Sequence, residues 1–216
     1  MAITKKKPPV KLTVGAQYIC FNTMDAENDW TENFETDVIK LPTLVSATVT
    51  DNTDAYDAYA SGQIYDTDTA VTSKTIATSN LAFSEALLSR MRGDEVDGGV
   101  VLGGGRKAIR PYFAYGIVVN KKDGSQDLRW YPKCKLTEND DVSNTSTDAH
   151  QDQNYSVTIK AFGFDEDEHV EVRALTSEEG YESITEDAFF AAPLLTAAAV
   201  EALIQSGQSG QSGDGN

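Results

Sequence analysis

The sequence has only two histidines and two cysteines in 216 residues, and neither pair is arranged for chemistry. His150 stands in a polar stretch and His169 follows the acidic run "DEDE". No Ser/His/Asp or Cys/His set supplies both a nucleophile and a base, so the chain is expected not to be an enzyme, with no catalytic residues and no cofactor. Cys20 and Cys134 are far apart, outside any CxxC spacing, and fall in predicted strands; they read as ordinary buried thiols. Asp165, Asp167 and His169 share one face of an extended segment, but the run lacks the glycine and the distant glutamate of a calcium loop. A solvated acidic turn is the expectation, with no metal.

Other absences narrow the reading further. No run approaches the roughly 18 apolar residues of a membrane span. The start, "MAITKKKPPVKLTVG", is basic without the apolar core of a signal peptide, so no membrane and no export are expected, and synthesis in the cytoplasm is. "GGVVLGGGRKA" (98–108) lacks Gly-Lys-Ser/Thr and a following helix pattern, so it is a hairpin or loop and not a phosphate loop. "RGD" at 92–94 is a chance match, because Gly93 serves as a helix C-cap. A net charge of -16 and the lack of a recognition helix disfavour nucleic-acid binding, although a duplex can pass such a surface without sticking.

The charge is distributed in blocks. Residues 1–24 carry Lys5, Lys6, Lys7 and Lys11 with no acid, and residues 25–68 hold eleven acids against Lys40. Residues 106–135 hold eight basic residues against Asp123 and Asp127, and residues 136–187 hold fifteen acids against Lys160 and Arg173. Such asymmetry interleaves within one fold, or sets a positive region of one molecule against a negative region of another.

Strands are predicted at 15–22, 44–50, 70–78, 112–119, 127–136, 155–164 and 170–176, rich in β-branched and aromatic residues between Asp, Asn, Gly and Ser clusters. This number of short strands indicates a mainly β chain, a sandwich or barrel. The first strand of the hairpin around "NKKDGS" is apolar on both faces. The second is read with Leu128, Trp130, Pro132, Cys134 and Leu136 on one face and a basic face of Arg129, Tyr131, Lys133 and Lys135 on the other. Asp123-Gly124 suits the positive dihedrals of the turn between them. One helix is expected over about 79–92, capped by Ser79 or Asn80 and by Gly93, with Phe83, Leu87, Leu88 and Met91 packing it on the sheets. Residues 24–37 read as a loop anchored by Trp30 and Phe34. Residues 137–154 read as a long polar loop, and 193–205 as a short helix before a Gly/Ser/Gln tail.

The order of these parts resembles the major tail (tail tube) proteins of phages with long non-contractile tails. The resemblance is carried by the basic arm, "GAQYICFN", "KLPTLVSATVTDN", "NLAFSEALLSRMRG", "PYFAYGIVV" with "LRWYPKCKL", the "NTSTD" loop and "YSVTIKAFG", from about residue 10 to 176. It implies a basic arm at 1–14 and a β-sandwich with a flanking helix at 15–180; the chain departs from the family after residue 180, where the C-terminal extension 181–216 holds only a short apolar stretch and a Gly/Ser/Gln tail. The resemblance also implies hexameric rings stacked into a hollow tube of the virion tail, around the tape measure protein and later the passing DNA, with tail terminator and distal tail proteins as neighbours. Contacts between subunits are then expected from Lys5, Lys6, Lys7, Arg129, Lys133 and Lys135 to Glu138, Asp140, Asp141, Asp148 and Asp152. The alternatives from other classes are a β-sandwich adhesion or carbohydrate-binding module displaying an aromatic platform, and another virion part such as a head-decoration or connector protein.

Overall fold

The computed structural model describes residues 7–105, 108–140 and 154–209. Among these residues the strands are β1 (Lys11–Phe21), β2 (Ile39–Leu41), β3 (Leu44–Ala60), β4 (Gln63–Asn80), β5 (Glu95–Asp97), β6 (Val100–Leu102), β7 (Phe113–Lys121), β8 (Gln126–Asp140), β9 (Tyr155–Phe162) and β10 (Val172–Leu175). The helices are α1 (Glu85–Arg92), α2 (Glu186–Phe189) and α3 (Ala197–Ser209). The chain is mainly β, as expected. One antiparallel sheet runs β2-β1-β7-β8-β9-β4-β3, with β10 paired to β8, and β5-β6 form a separate hairpin. The large sheet curls until β3 lies near β1 without a ladder between them, so it closes over a core as a sandwich does and stops short of a barrel.

A bulge in β8 decides which residues face that core. Phe113 pairs with Cys134 but Tyr115 pairs with Tyr131, which places one extra residue on β8 beside Pro132. Proline offers no N–H to a ladder, and a bulge is where a strand tolerates it. The alternation therefore inverts at Pro132. Leu128 and Trp130 face one core, while Tyr131, Cys134 and Leu136 face the other. The single basic face expected over 129–135 does not exist: Arg129 lies on the side of Tyr131, and after the bulge Lys133 and Lys135 fall on the opposite side from Cys134 and Leu136.

The first core lies inside the curl and joins Ile19, Phe21, Ile76, Tyr115, Ile159 and their neighbours. Helix α1 covers it with Leu87, Leu88 and Met91, and Phe83 is buried just before the helix, as the expected packing requires. The start of the helix differs from expectation. Its N-cap is Ser84, which accepts from Leu87 N, because Asn80 still belongs to β4. Gly93 closes the helix at φ 73°, and a Cβ there would stand 2.2 Å from Ile109 O. A buried polar chain links the two halves of the curl. Tyr115 Oη donates to Gln17 Oε1 (2.9 Å), Gln17 Nε2 to Asn80 Oδ1 (2.6 Å), and Asn80 Nδ2 to Thr78 Oγ1 (3.2 Å).

The second face of β7 is covered from within the chain. Residues 181–204 cross it and build a second core in which Ile184, Phe189, Phe190 and Val200 meet Tyr18, Val118, Leu128 and Trp130. Trp130 Nε1 donates to Phe189 O (3.0 Å), and Glu186 accepts from Tyr18 Oη and pairs with Lys40 Nζ (2.9 Å). Each of those four apolar side chains contributes about 1.5–3 kcal/mol by burial, so the C-terminal segment is part of the fold. Its long helix begins later than the expected 193. Thr196 caps α3 by accepting from Ala199 N, and Pro193 to Leu195 precede the helix.

Two expected boundaries also move. The strands expected at 44–50 and 70–78 are the bases of one long hairpin, paired from Leu44–Asn80 to Ala60–Gln63 and closed by Ser61 and Gly62 at φ 53° and 78°. Residues 137–140, expected in the polar loop, extend β8 against β9 through pairs such as Glu138–Thr158 and Asp140–Ser156. In the β7–β8 turn only Gly124 takes a positive φ, 84°.

Candidate self-assembly surface

The β3–β4 hairpin outruns the sheet that supports it. β9 pairs with β4 only over Ser73–Asn80, so from Thr53 to Val71 the hairpin is a two-stranded arm. Two strands with neither a third strand nor a covered face are marginal in water. This arm nevertheless displays large apolar side chains: Tyr56, Tyr59, Ile64 and Tyr65 are 73%, 69%, 56% and 82% exposed. Its charge has one sign. Asp51, Asp54, Asp57, Asp66 and Asp68 fall between 41 and 73, with no Lys or Arg there. Asp51, at the base, pairs with Lys74 at 3.2 Å.

A second unsupported hairpin, β5–β6, carries exposed Val96, Val100, Val101 and Leu102, with exposed Ile109 nearby in the chain. It corresponds to the "GGVVLG" stretch expected as hairpin or loop.

Near the start of β1 the surface changes character. A cleft of about 280 Å³ opens between β1 and β3, where Val14, Val49 and Ile117 continue the first core towards solvent and Val119 lies beside them. Lys11 and Arg129 also line it. Lys7 and Lys122 are exposed close to the same end of β1, where Lys122 N donates to Val10 O. Asp127 is fully buried and accepts from both Arg129 (2.7 Å) and Arg173. Burial alone raises its pKa, and the two guanidinium groups outweigh this and hold it below the usual carboxylate range. Two arginines on one carboxylate leave this end of the sheet with excess positive charge.

Lys133 and Lys135, also singled out in the sequence, have partners within the subunit. Lys133 lies 5.3 Å from the Trp30 ring centroid, and Lys135 lies 3.8 Å from that of Tyr112. Trp30 and Phe34 meet edge to face and anchor the acidic loop over 24–37 as expected, with Phe34 packed against the second core. Glu138 is exposed near the end of β8, in the same ladder as the backbone of Asp140. Lys5, Lys6, Asp141, Asp148 and Asp152 lie outside the described residues, as does His150. His169 and Asp165 pair at 2.6 Å on an exposed turn, which raises the histidine pKa through that hydrogen bond. Among the described residues no group of three or more His, Cys, Asp or Glu is close enough to hold a metal ion.

Sequence reasoning missed the tyrosine arm. The signal available was "YDAYASGQIYD", two short aromatic runs about a Ser-Gly turn. Its aspartates obscured it, since half-buried strands are recognised by alternation, and this hairpin buries neither face. No protein-family model matches the chain, and no curated protein matches it.

Proposed function

We propose that this chain is a structural subunit that polymerises with copies of itself, and that the polymer is the phage tail tube whose components its element order resembles. The observation that carries this reading is the projecting arm with Tyr56, Tyr59, Ile64 and Tyr65 in solvent, a feature that only a partner can bury. A tube made of stacked hexameric rings supplies such a partner in every neighbouring subunit. Its acidic excess suits a conduit, because negative walls repel phosphates and let DNA slide past the protein. The tape measure protein occupies the same channel before the genome, and terminator and distal tail proteins close its ends. In this reading the work of the molecule is mechanical.

The exposed tyrosines also favour a second reading, a carbohydrate-binding or adhesion module with an aromatic platform. Against it, Trp130 is wholly buried and Trp30 half-buried, so neither tryptophan is free to stack on a sugar. Sedimentation velocity over a wide concentration range separates the two. A tube subunit shifts to large species as concentration rises, whereas a binding module stays at the mass of one 23.4 kDa chain.

A further inference from the structure

We propose that the tip of the β3–β4 arm of one copy docks in the cleft between β1 and β3 of a second copy. This rests on the self-assembly reading and specifies its contact.

The two surfaces are complementary in three respects. The arm offers aromatic and aliphatic side chains at its tip, Tyr59, Ile64 and Tyr65, and the cleft offers Val14, Val49, Ile117 and Val119. The arm carries aspartates without a single cation, and the cleft end carries Lys11, Arg129 and the exposed Lys7 and Lys122. Asp127, the buried acid paired with both Arg129 and Arg173, cancels only one of their two charges, so a net positive charge remains beside the lysines. Finally, the eight residues from Thr53 to Ala60 span roughly 25 Å at strand rise, all of it beyond the last pair of β4 with β9. An acidic, tyrosine-bearing ribbon and a cation-rimmed apolar cleft are different surfaces on the same chain. Their contact is therefore heterologous, which repeats from copy to copy and builds a ring or filament where a self-complementary patch would stop at a dimer.

The test reverses charge on each side separately. One variant carries Asp54→Lys and Asp66→Lys on the arm, and the other carries Lys11→Glu and Lys122→Glu at the cleft. All four positions are exposed, and matched melting curves establish that each variant is folded. Each alone is expected to associate at least about tenfold more weakly than the unaltered chain, because like charges now meet. An equimolar mixture is expected to recover assembly, since each reversed arm then finds a reversed cleft. A second readout mixes a Tyr65→Cys chain with a chain carrying Leu12→Cys, an exposed residue that lines the cleft, and adds a short bismaleimide. A crosslinked dimer should form in the mixture and in neither protein alone, because Cys20 and Cys134 are buried. If the unaltered chain assembles but the variants also assemble singly, or the mixture fails to recover, the arm docks elsewhere or on another protein and this contact is overturned while self-assembly stands. If the unaltered chain stays a monomer throughout, the self-assembly reading falls with it.

Discussion

Phe190 occupies the space that a side chain on Gly116 would need: a Cβ built on Gly116 would lie 2.6 Å from Cε1 of Phe190. The same ring stacks on Tyr18 with centroids 4.0 Å apart and planes 2° from parallel, and meets Trp130 edge to face at 5.1 Å. A bare strand position thus receives the C-terminal segment, and the glycine is required by this close approach. Gly116→Ala should cost about 1–3 kcal/mol by overpacking. Combining it with Phe190→Leu should cost less than the sum of the two single changes, measured by urea unfolding. Simple additivity would mean that the two residues do not share this space.

Removing residues 181–209 should expose the second core. Trp130 would lose its hydrogen bond to Phe189 O and the cover of Phe189 and Phe190. The shortened chain should show red-shifted tryptophan emission, strong binding of an apolar dye and a broad, weakly cooperative melt. A sharp native-like transition would show that the segment merely decorates the sheet.

Asp127→Asn should destabilise the subunit by about 3 kcal/mol, because it leaves two guanidinium groups without their buried carboxylate; Arg173 is partly exposed, which keeps the cost at the low end. The pH dependence follows from a folded-state pKa depressed below the unfolded value of about 3.9. The stabilisation is complete above the unfolded value and is lost as pH falls through the folded one. The melting temperature of the unaltered chain should therefore drop in that acid range more steeply than that of Asp127→Asn. Parallel curves for the two proteins would contradict the assignment.

Asn80→Ala should cost about 1–3 kcal/mol, since it strands Gln17 Nε2 in a fully buried site. Changing both Gln17 and Asn80 to leucine should cost less than the two single changes to alanine together, because paired removal leaves Tyr115 Oη without its acceptor but strands neither amide of the pair. Chemical denaturation of the set measures this.

The body of this fold was legible where one face is buried and the other wet. "YSVTIKAF" alternates as a half-buried strand and is one, and "EALLSRMRG" shows its apolar stripe and its C-cap glycine. Local pattern failed where the third dimension supplied the reason. At Pro132 the alternation looked continuous, and only the pairing with β7 shows the extra residue that turns Arg129 away from Lys133 and Lys135. The cover on β7 is more than sixty residues away in the chain, so nothing near "YFAYGIVV" announces it. The arm was hidden because an exposed ribbon has no buried face to mark its period.

Negative-stain electron microscopy of the purified chain at high concentration tests the central claim most directly. The account predicts rings and hollow tubes of uniform diameter, shortened or abolished by Tyr59→Ser with Tyr65→Ser on the arm. Single compact particles at every concentration and salt, with a folded melting profile, would contradict it.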